Sequence, residues 1–279
     1  YSFLWNFIFA IPYQDRFSRL FDSDWRNFVN SRLGMYFPFQ LCRKKIGCLV
    51  LFSFEENKPI RSYVLRSGRI TAAQKRAIDE YWPKWGLDPL SGSLNPQIVF
   101  DRKSKTILEI GFGMGESLIQ SAIQMPNVNF IGIEVHAAGI GKILNEIANR
   151  DLKNVRIFWH DAVEIVEKGL PFGSISAVNI FFPDPWHKKK HNKRRLIKAE
   201  FVNSINKILC KGGRLHLSTD CSNYAEQMME VMSVSQNWRN LYGANTFANA
   251  DHGRPETKFE LRGRRLGHKI WDLVFIKSP

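Results

Sequence analysis

Residues 106–116 read Thr106-Ile-Leu-Glu109-Ile-Gly111-Phe-Gly113-Met-Gly115-Glu116. An apolar run enters three glycines at alternate positions, the pattern of a buried strand ending in a tight turn. Glycines there open backbone angles closed to other residues and let a ligand approach the main chain where the next helix begins. Working outward, strand-like and helix-like stretches alternate. A helix with Leu118, Ile119, Ala122 and Ile123 inward leads to a strand over 130–134, and one carrying Ile140, Ile143, Leu144 and Ile147 leads to a strand over 155–159. A fourth strand is expected over 177–182, then a helix with Ile197, Phe201, Ile205 and Ile208 on one face, a strand over 214–218 and a last strand over 270–276. Strands separated by single helices predict parallel βαβ units. Right-handed crossovers then bring the strand C-terminal ends to one edge, where ligands of open α/β sheets bind.

The residues at that edge narrow the ligand. A dinucleotide fingerprint, Gly-x-Gly-x-x-Gly, requires glycine at 116, and Glu116 stands there, so NAD is disfavoured. Glu109 just before the turn suits a cofactor bearing an amino acid and no diphosphate, which a carboxylate would repel. Glu134 ends the second strand, where a carboxylate accepts from both hydroxyls of a ribose. Asp161 closes the third strand, either as a further acid at the ligand edge or as the N-cap of the next helix. After the fourth strand comes Phe181-Phe182-Pro183-Asp184-Pro185-Trp186, in which two prolines hold the Asp184 carboxylate in a fixed direction. Trp186 either stacks on a base or anchors the loop to the core.

Downstream lies His187-Lys188-Lys-Lys-His191-Asn-Lys-Arg-Arg195, with six Lys or Arg and no acid. It enters the helix of Ile197 and Phe201, where cations oppose the helix dipole, so a phosphate backbone is the expected compensating partner. The spacing of His187 and His191 imitates a zinc pair, but cations surround it and no third ligand is evident, so no metal is expected. Ser218-Thr219-Asp220 follows the fifth strand, and Thr219 with Asp220 either caps the next helix or faces the edge. Thr257-Lys258-Phe259-Glu260-Leu-Arg262 precedes the last strand and is expected to form a hairpin bearing substrate contacts.

Across the 279 residues the net charge is +14 and the pI about 9.7, a balance that suits a polyanionic partner. Apolar residues at 44% and charged ones at 24% exclude a disordered tail and a multi-span membrane protein. Cys42, Cys48, Cys210 and Cys221 form no Cys-x-x-Cys pair and read as free cytosolic thiols. Fifteen of the aromatic residues fall in the first sixty positions, which marks that segment as compositionally foreign. Its apolar stretch, 46–54, is too short to span a bilayer, and no small-x-small cleavage site follows it, so neither membrane insertion nor secretion is expected. Residues 1–57 therefore read as an N-terminal extension and 58–279 as the functional domain. Within the latter, Thr71 and Gln74 have capping-box spacing before a helix with Ala73, Ala77, Ile78 and Tyr81, which Pro83 is expected to end. Residues 86–105 read as linker.

From Arg61 onward the sequence resembles the tRNA (guanine-N(7)-)-methyltransferase family of the bacterial single-subunit type. The resemblance rests on Arg61-Ser-Tyr-Val-Leu-Arg66, Leu108-Glu-Ile-Gly-Phe-Gly-Met-Gly115, Gly132-Ile-Glu134-Val-His136 and Phe181-Phe-Pro-Asp-Pro-Trp-His187. His191-Asn-Lys-Arg-Arg195, Thr257-Lys-Phe-Glu260 and Gly267-His-Lys-Ile-Trp-Asp272 extend it, whereas Leu65 stands where the family usually has a basic residue. It implies an α/β class I S-adenosylmethionine-dependent methyltransferase fold, Rossmann-like, with helices on both faces of a mostly parallel sheet. It further implies S-adenosyl-L-methionine as cofactor and a tRNA guanine as substrate, methylated at ring nitrogen 7, in a cytoplasmic monomer or homodimer. Cofactor contacts are implied for Glu109, Gly111, Gly113, Glu134, Asp161 and Asp184, with Asp184 also catalytic. Substrate contacts are implied for Arg66, Lys188, Asp220, Thr257, Lys258, Phe259 and Glu260. Two other readings remain open at this point: a non-catalytic RNA-binding protein on the same fold, and an enzyme methylating an exocyclic amine of RNA.

Overall fold

The computed structural model describes residues 60–64, 70–89, 92, 94–249, 254–255, 258–265, 267 and 269–278, with only the main chain at 258, 259 and 262. The capping box forms as expected. The Thr71 hydroxyl accepts from the Gln74 amide at 3.2 Å and Gln74 Oε1 accepts from the Thr71 amide at 2.9 Å, which starts α1, Ala72–Trp85. Pro83 does not end this helix. Its missing amide removes one bond in the last turn only, and buried Trp85, donating to the Leu152 carbonyl at 3.1 Å, holds the turn in place.

The stretch 86–105 is more than a linker: it holds β1, Gly86–Leu87, and α2, Pro96–Val99. Both are too short for periodicity to reveal. Then come β2 (Thr106–Ile110), α3 (Glu116–Gln124), β3 (Asn129–Glu134), α4 (Ala137–Asn149), β4 (Val155–Trp159) and α5 (Ala162–Glu164), which continues into a wider π turn at Ile165–Gly169. The chain proceeds through β5 (Ile175–Phe181), a 3-10 turn at Lys189–Arg194, α6 (Ala199–Ile208), β6 (Leu209–Thr219), α7 (Ser222–Ser233), β7 (Trp238–Asn240), α8 (Lys258–Arg265) and β8 (Trp271–Lys277).

These strands form one sheet in the order β1-β4-β3-β2-β5-β6-β8-β7. Pairing is parallel from β1 to β6 and antiparallel for β6 with β8 and β8 with β7. One face packs against α1, α3 and α4, the other against α6 and α7. This is the Rossmann-like α/β sheet that the alternating pattern predicts. Because β2 pairs with both β3 and β5, the strand order reverses beside β2, and its glycine turn opens at that switch point.

Four expectations change. Ile123 is 46% exposed while Leu118, Ile119 and Ala122 are buried, because α3 has rotated it to the outer face near its end. The basic run forms its own 3-10 turn, and α6 begins only at Ala199, so the cations do not sit at that helix's N-terminus and the dipole argument for them lapses. Ile197 is buried but precedes α6. Residues 258–265 are helical, not a hairpin, and β8 pairs with β6 and β7 instead.

Candidate active site

The turn after β2 is built by backbone freedom and packing together. Gly111, Gly113 and Gly115 have φ of 72°, 57° and 79°, in the left-handed region. At Gly115 a Cβ would lie 2.6 Å from Ile143, whose buried side chain supports the turn from α4. Truncating Ile143 to Ala would cost roughly 2–5 kcal/mol and slacken that support. At Gly111 and Gly113 a Cβ would meet nothing within 4 Å, so the main chain borders open space. That space is a cleft of about 460 Å³ at the C-terminal ends of β2, β3 and β5, lined by Glu109, Gly111, Gly113, Glu134 and Asp184 among others. Five of the expected cofactor residues therefore meet at one place.

Glu134 is buried, and its carboxylate does structural work as well. Oε2 accepts from the Gly113 amide at 2.8 Å, and Oε1 accepts from Val135 at 2.7 Å and His136 at 3.0 Å. The side chain ties the glycine turn to the entrance of α4, and by lone-pair count Oε2 keeps room for another donor. Glu109 is 3% exposed. Burial pushes its carboxyl up to about 8, with the Ser117 hydroxyl and the Arg254 guanidinium pulling the other way. Near neutral pH this floor group is mostly protonated.

Asp161 takes the N-cap role: its carboxylate accepts from the Val163 amide at 2.9 Å. It also accepts from the Tyr63 hydroxyl, and burial and this acid raise the Tyr63 phenol above its ordinary value. His160 and Ala162, not Asp161, line the cleft, together with Ser62 and Tyr63. Residues 62 and 63 therefore wall the cleft from far upstream in the chain.

Asp184 is exposed and lines the cleft from the loop after β5. Phe182 and Trp186 flank it with φ of 51° and 47°, unfavourable for bulky residues and maintained only where surroundings over-determine them. They do so here. The Phe182 amide donates to the Ser218 carbonyl at 2.8 Å, and Trp186 Nε1 donates to the Ser62 carbonyl at 2.9 Å. Arg195, 2% exposed, donates through Nε to the Pro185 carbonyl at 2.8 Å and through its other nitrogens to Gln227 and Asn223, over the Tyr224 ring. The last arginine of the basic run is thus a loop staple. Trp186 acts as an anchor, with Arg194 over its ring at 5.0 Å and His191 edge-on at 5.9 Å. Burial and the neighbouring cations Lys190, Arg194, Lys188 and Lys193 lower the His191 imidazole below its usual value.

Lys188 and Asp220 are exposed and lie outside the cleft lining. Glu260 is 1% exposed, and its oxygens accept from Arg254 and Arg264. Lys258 and Phe259 are in α8 by their main chain, their side chains being outside the description, and Arg66 and Thr257 lie outside the described residues. Sequence reading missed Tyr63, Arg195 and Arg254 as contributors. Tyr63 and Arg195 fall within the quoted motifs, whereas Arg254 stands alone between Gly253 and Pro255 with no signal of its own. Among the described residues no group of three or more His, Cys, Asp and Glu is arranged to hold a metal, and no helix is long and apolar enough to cross a membrane.

Residues 103–273 match a family model described as "Putative methyltransferase". A tRNA (guanine-N(7)-)-methyltransferase of Alcanivorax borkumensis is 50% identical over 220 residues, covering 79% of this chain and 92% of that relative. The protein of the same name from Saccharophagus degradans is 46% identical over 223 residues, 80% of this chain and 97% of its own length. A solved 16S rRNA methyltransferase, KamB, superposes with a TM-score of 0.46 at 13% identity, over 77% of this chain and 97% of that one.

Proposed function

This chain belongs to the tRNA (guanine-N(7)-)-methyltransferase family, and on that premise we infer how its switch-point cleft transfers a methyl group to ring nitrogen 7 of a tRNA guanine. The observation that carries the reading is the convergence of Glu109, Glu134, Asp184 and the glycine turn on one cleft. The residues present fit S-adenosyl-L-methionine: a main-chain cradle free of Cβ atoms, an acid for an ammonium and an acid for ribose hydroxyls. When bound, that cofactor supplies an electrophilic methyl on a sulfonium sulfur.

Glu109 is assigned to the amino-acid end, where a nearby ammonium would draw its carboxyl into the ionised form. Glu134 is assigned to the ribose through its spare acceptor capacity. Asp161 serves the adenine end indirectly, by capping α5 and holding Tyr63 in the wall. Ring nitrogen 7 of neutral guanine has a lone pair and no proton, so no residue needs to act as a base. Positioning and electrostatics carry the rate. Asp184, held from both sides, is assigned to orienting the guanine and stabilising the positive charge that develops on its ring.

The exposed cations Lys188, Lys189, Lys190 and Lys193 are assigned to tRNA phosphates, with Arg66, Asp220 and the Thr257–Glu260 segment at the substrate side. Residues 58–279 form the methyltransferase domain in this reading and 1–57 an extension dispensable for it. The reading extends to a cytoplasmic monomer or homodimer, with tRNA named as substrate for the relatives. The test is transfer of labelled methyl from S-adenosyl-L-methionine into bulk tRNA with identification of the nucleoside. 7-Methylguanosine is expected; an exocyclic N-methyl product, or none, would overturn the reading.

A further inference from the structure

Apart from the residues assigned to the cofactor, a buried charge cluster centres on Arg254. Its side chain is 3% exposed, with Asp272 at 5% and Glu260 at 1%. Nε donates to Asp272 Oδ1 at 2.9 Å, Nη2 to Asp272 Oδ2 at 3.2 Å and to the Ser218 hydroxyl at 3.3 Å, and Nη1 to Glu260. The guanidinium carbon also lies 5.3 Å and 5.6 Å from the ring centres of Phe181 and Phe182. One side chain therefore joins β8, the end of β6, the first turn of α8 and the strand end from which the Asp184 loop departs.

We propose that Arg254 is a positioning residue for methyl transfer, fixing Glu260 and with it the first turn of α8 against the strand end that presents Asp184. This rests on the reading of the cleft given above. Three features of the geometry support it. Asp272 accepts from Nε and Nη2 along one edge of the guanidinium, with the His216 ring on the same carboxylate at 2.9 Å, so the direction of Arg254 is set by the sheet. Glu260 is gripped from its other oxygen by Arg264 at 2.7 Å, so the first turn of α8 is clamped to Arg254 and cannot rotate freely. Phe182 holds an unfavourable positive φ of 51° beneath the same guanidinium, two residues before Asp184. A buried ion pair is weak evidence for stability, since apolar replacements often match it, and fixing the relative placement of elements is a use attested for such groups.

The test uses the full chain with Arg254→Gln, Arg254→Lys, Glu260→Gln and the Arg254→Gln/Glu260→Gln double variant. Single-turnover transfer to tRNA is measured at saturating S-adenosyl-L-methionine and tRNA, alongside the Kd of each and the thermal midpoint. Arg254→Gln should slow the single-turnover step about 100-fold, the loss expected for misplaced reacting groups, while both Kd values move less than about threefold. Arg254→Lys, which keeps the buried charge and protects folding, should recover about tenfold of that loss. The double variant should be no slower than the slower single one, because both remove one clamp. A wild-type rate in Arg254→Gln or Arg254→Lys, a loss confined to cofactor affinity, or multiplicative losses in the double variant would overturn the assignment. If Arg254→Gln does not fold, the rate and Kd values of Arg254→Lys and Glu260→Gln decide by the same criteria. An unmodified enzyme that makes 7-methylguanosine while Arg254→Gln matches its rate sinks only the Arg254 role. An unmodified enzyme that makes none sinks the cleft reading and this proposal with it.

Discussion

The buried guanidinium of Arg195 donates to the carbonyl oxygen of Pro185 at 2.8 Å, one residue beyond Asp184. A cation from the end of a basic run thus faces inward and fixes the backbone of the loop that presents the Asp184 carboxylate to the cleft.

Arg195→Ala should be destabilising by roughly 3 kcal/mol, because it strands the Pro185, Asn223 and Gln227 acceptors that now pair with a charged donor. Arg195→Lys keeps the charge but not the fork, so the fold should survive with single-turnover transfer down about tenfold. Denaturant unfolding and transfer at saturating cofactor measure the two effects separately. Unaltered transfer in Arg195→Lys would mean the loop needs no staple.

Glu109 should make both stability and cofactor binding depend on pH. Its folded value, about 8, lies above the ordinary 4.5, so the folded protein holds a proton that the unfolded chain releases between those limits. The associated stability is fully present below 4.5 and is lost as pH rises toward 8, at up to about 1.4 kcal/mol per pH unit. Glu109→Gln should remove that slope and unfold at higher denaturant than the unmodified chain near pH 8. Binding of S-adenosyl-L-methionine should release a proton below pH 8 and tighten as pH rises toward it, and Glu109→Gln should weaken binding and flatten the dependence. Titration calorimetry in buffers of different ionisation enthalpy counts the proton; no release from the unmodified protein near pH 7 would remove this assignment.

What the sequence disclosed and what it hid follow from distance along the chain. The β2 turn, the strand-end acids and the proline-flanked Asp184 were legible because strand, turn and helix starts are written in contiguous residues. Arg254 was not, since its partners Ser218 and Asp272 are 36 and 18 positions away and nothing local marks an arginine for burial. Arg195 was hidden differently. Within a cationic run every member looks solvated, and only Asn223 and Gln227, a helix turn apart on α7, set it aside. The 3-10 turn was misread as a helix entry because buried Ile197 continues the apolar spacing of α6 without belonging to it.

Lys189 and Lys190 are exposed, whereas Arg194 lies over the Trp186 ring. Neutralising both lysines should weaken tRNA binding and reduce the slope of log K against log salt by up to about 1.4, if each meets a single-stranded phosphate. Adding Arg194→Gln should weaken binding further with little more change in slope. Filter binding across a salt series reads both quantities, and an unchanged slope in the lysine variant would leave the run as a solvated surface.

Deleting residues 1–57 should leave methyl transfer within about threefold, since the groups assigned to transfer, including the described wall of the cleft, come from residue 62 onward. Comparing single-turnover rates of the full and shortened chains checks it. Loss of activity in a folded truncation would bring the extension into the catalytic machinery.

The sharpest expectation concerns Asp184. With no proton on the attacking nitrogen, the carboxylate has no base to be, and its contribution must come from charge and direction. Asp184→Asn keeps the shape and removes the charge, and Asp184→Ala removes both. If charge carries the effect, both should slow the single-turnover step strongly, by about 100-fold, while affinities change less. If direction alone carries it, Asn should retain most of the rate. The measurement must be made at saturating cofactor, where ionisation of Glu109 is already driven to completion and drops out of the profile. Under that condition the unmodified enzyme should show no tenfold climb per pH unit between about pH 6 and 7, the signature of a base being unmasked. A climb there that disappears in Asp184→Asn would make Asp184 a proton acceptor, which ring nitrogen 7 does not need and an exocyclic amine does, and the substrate atom itself would have to be reassigned.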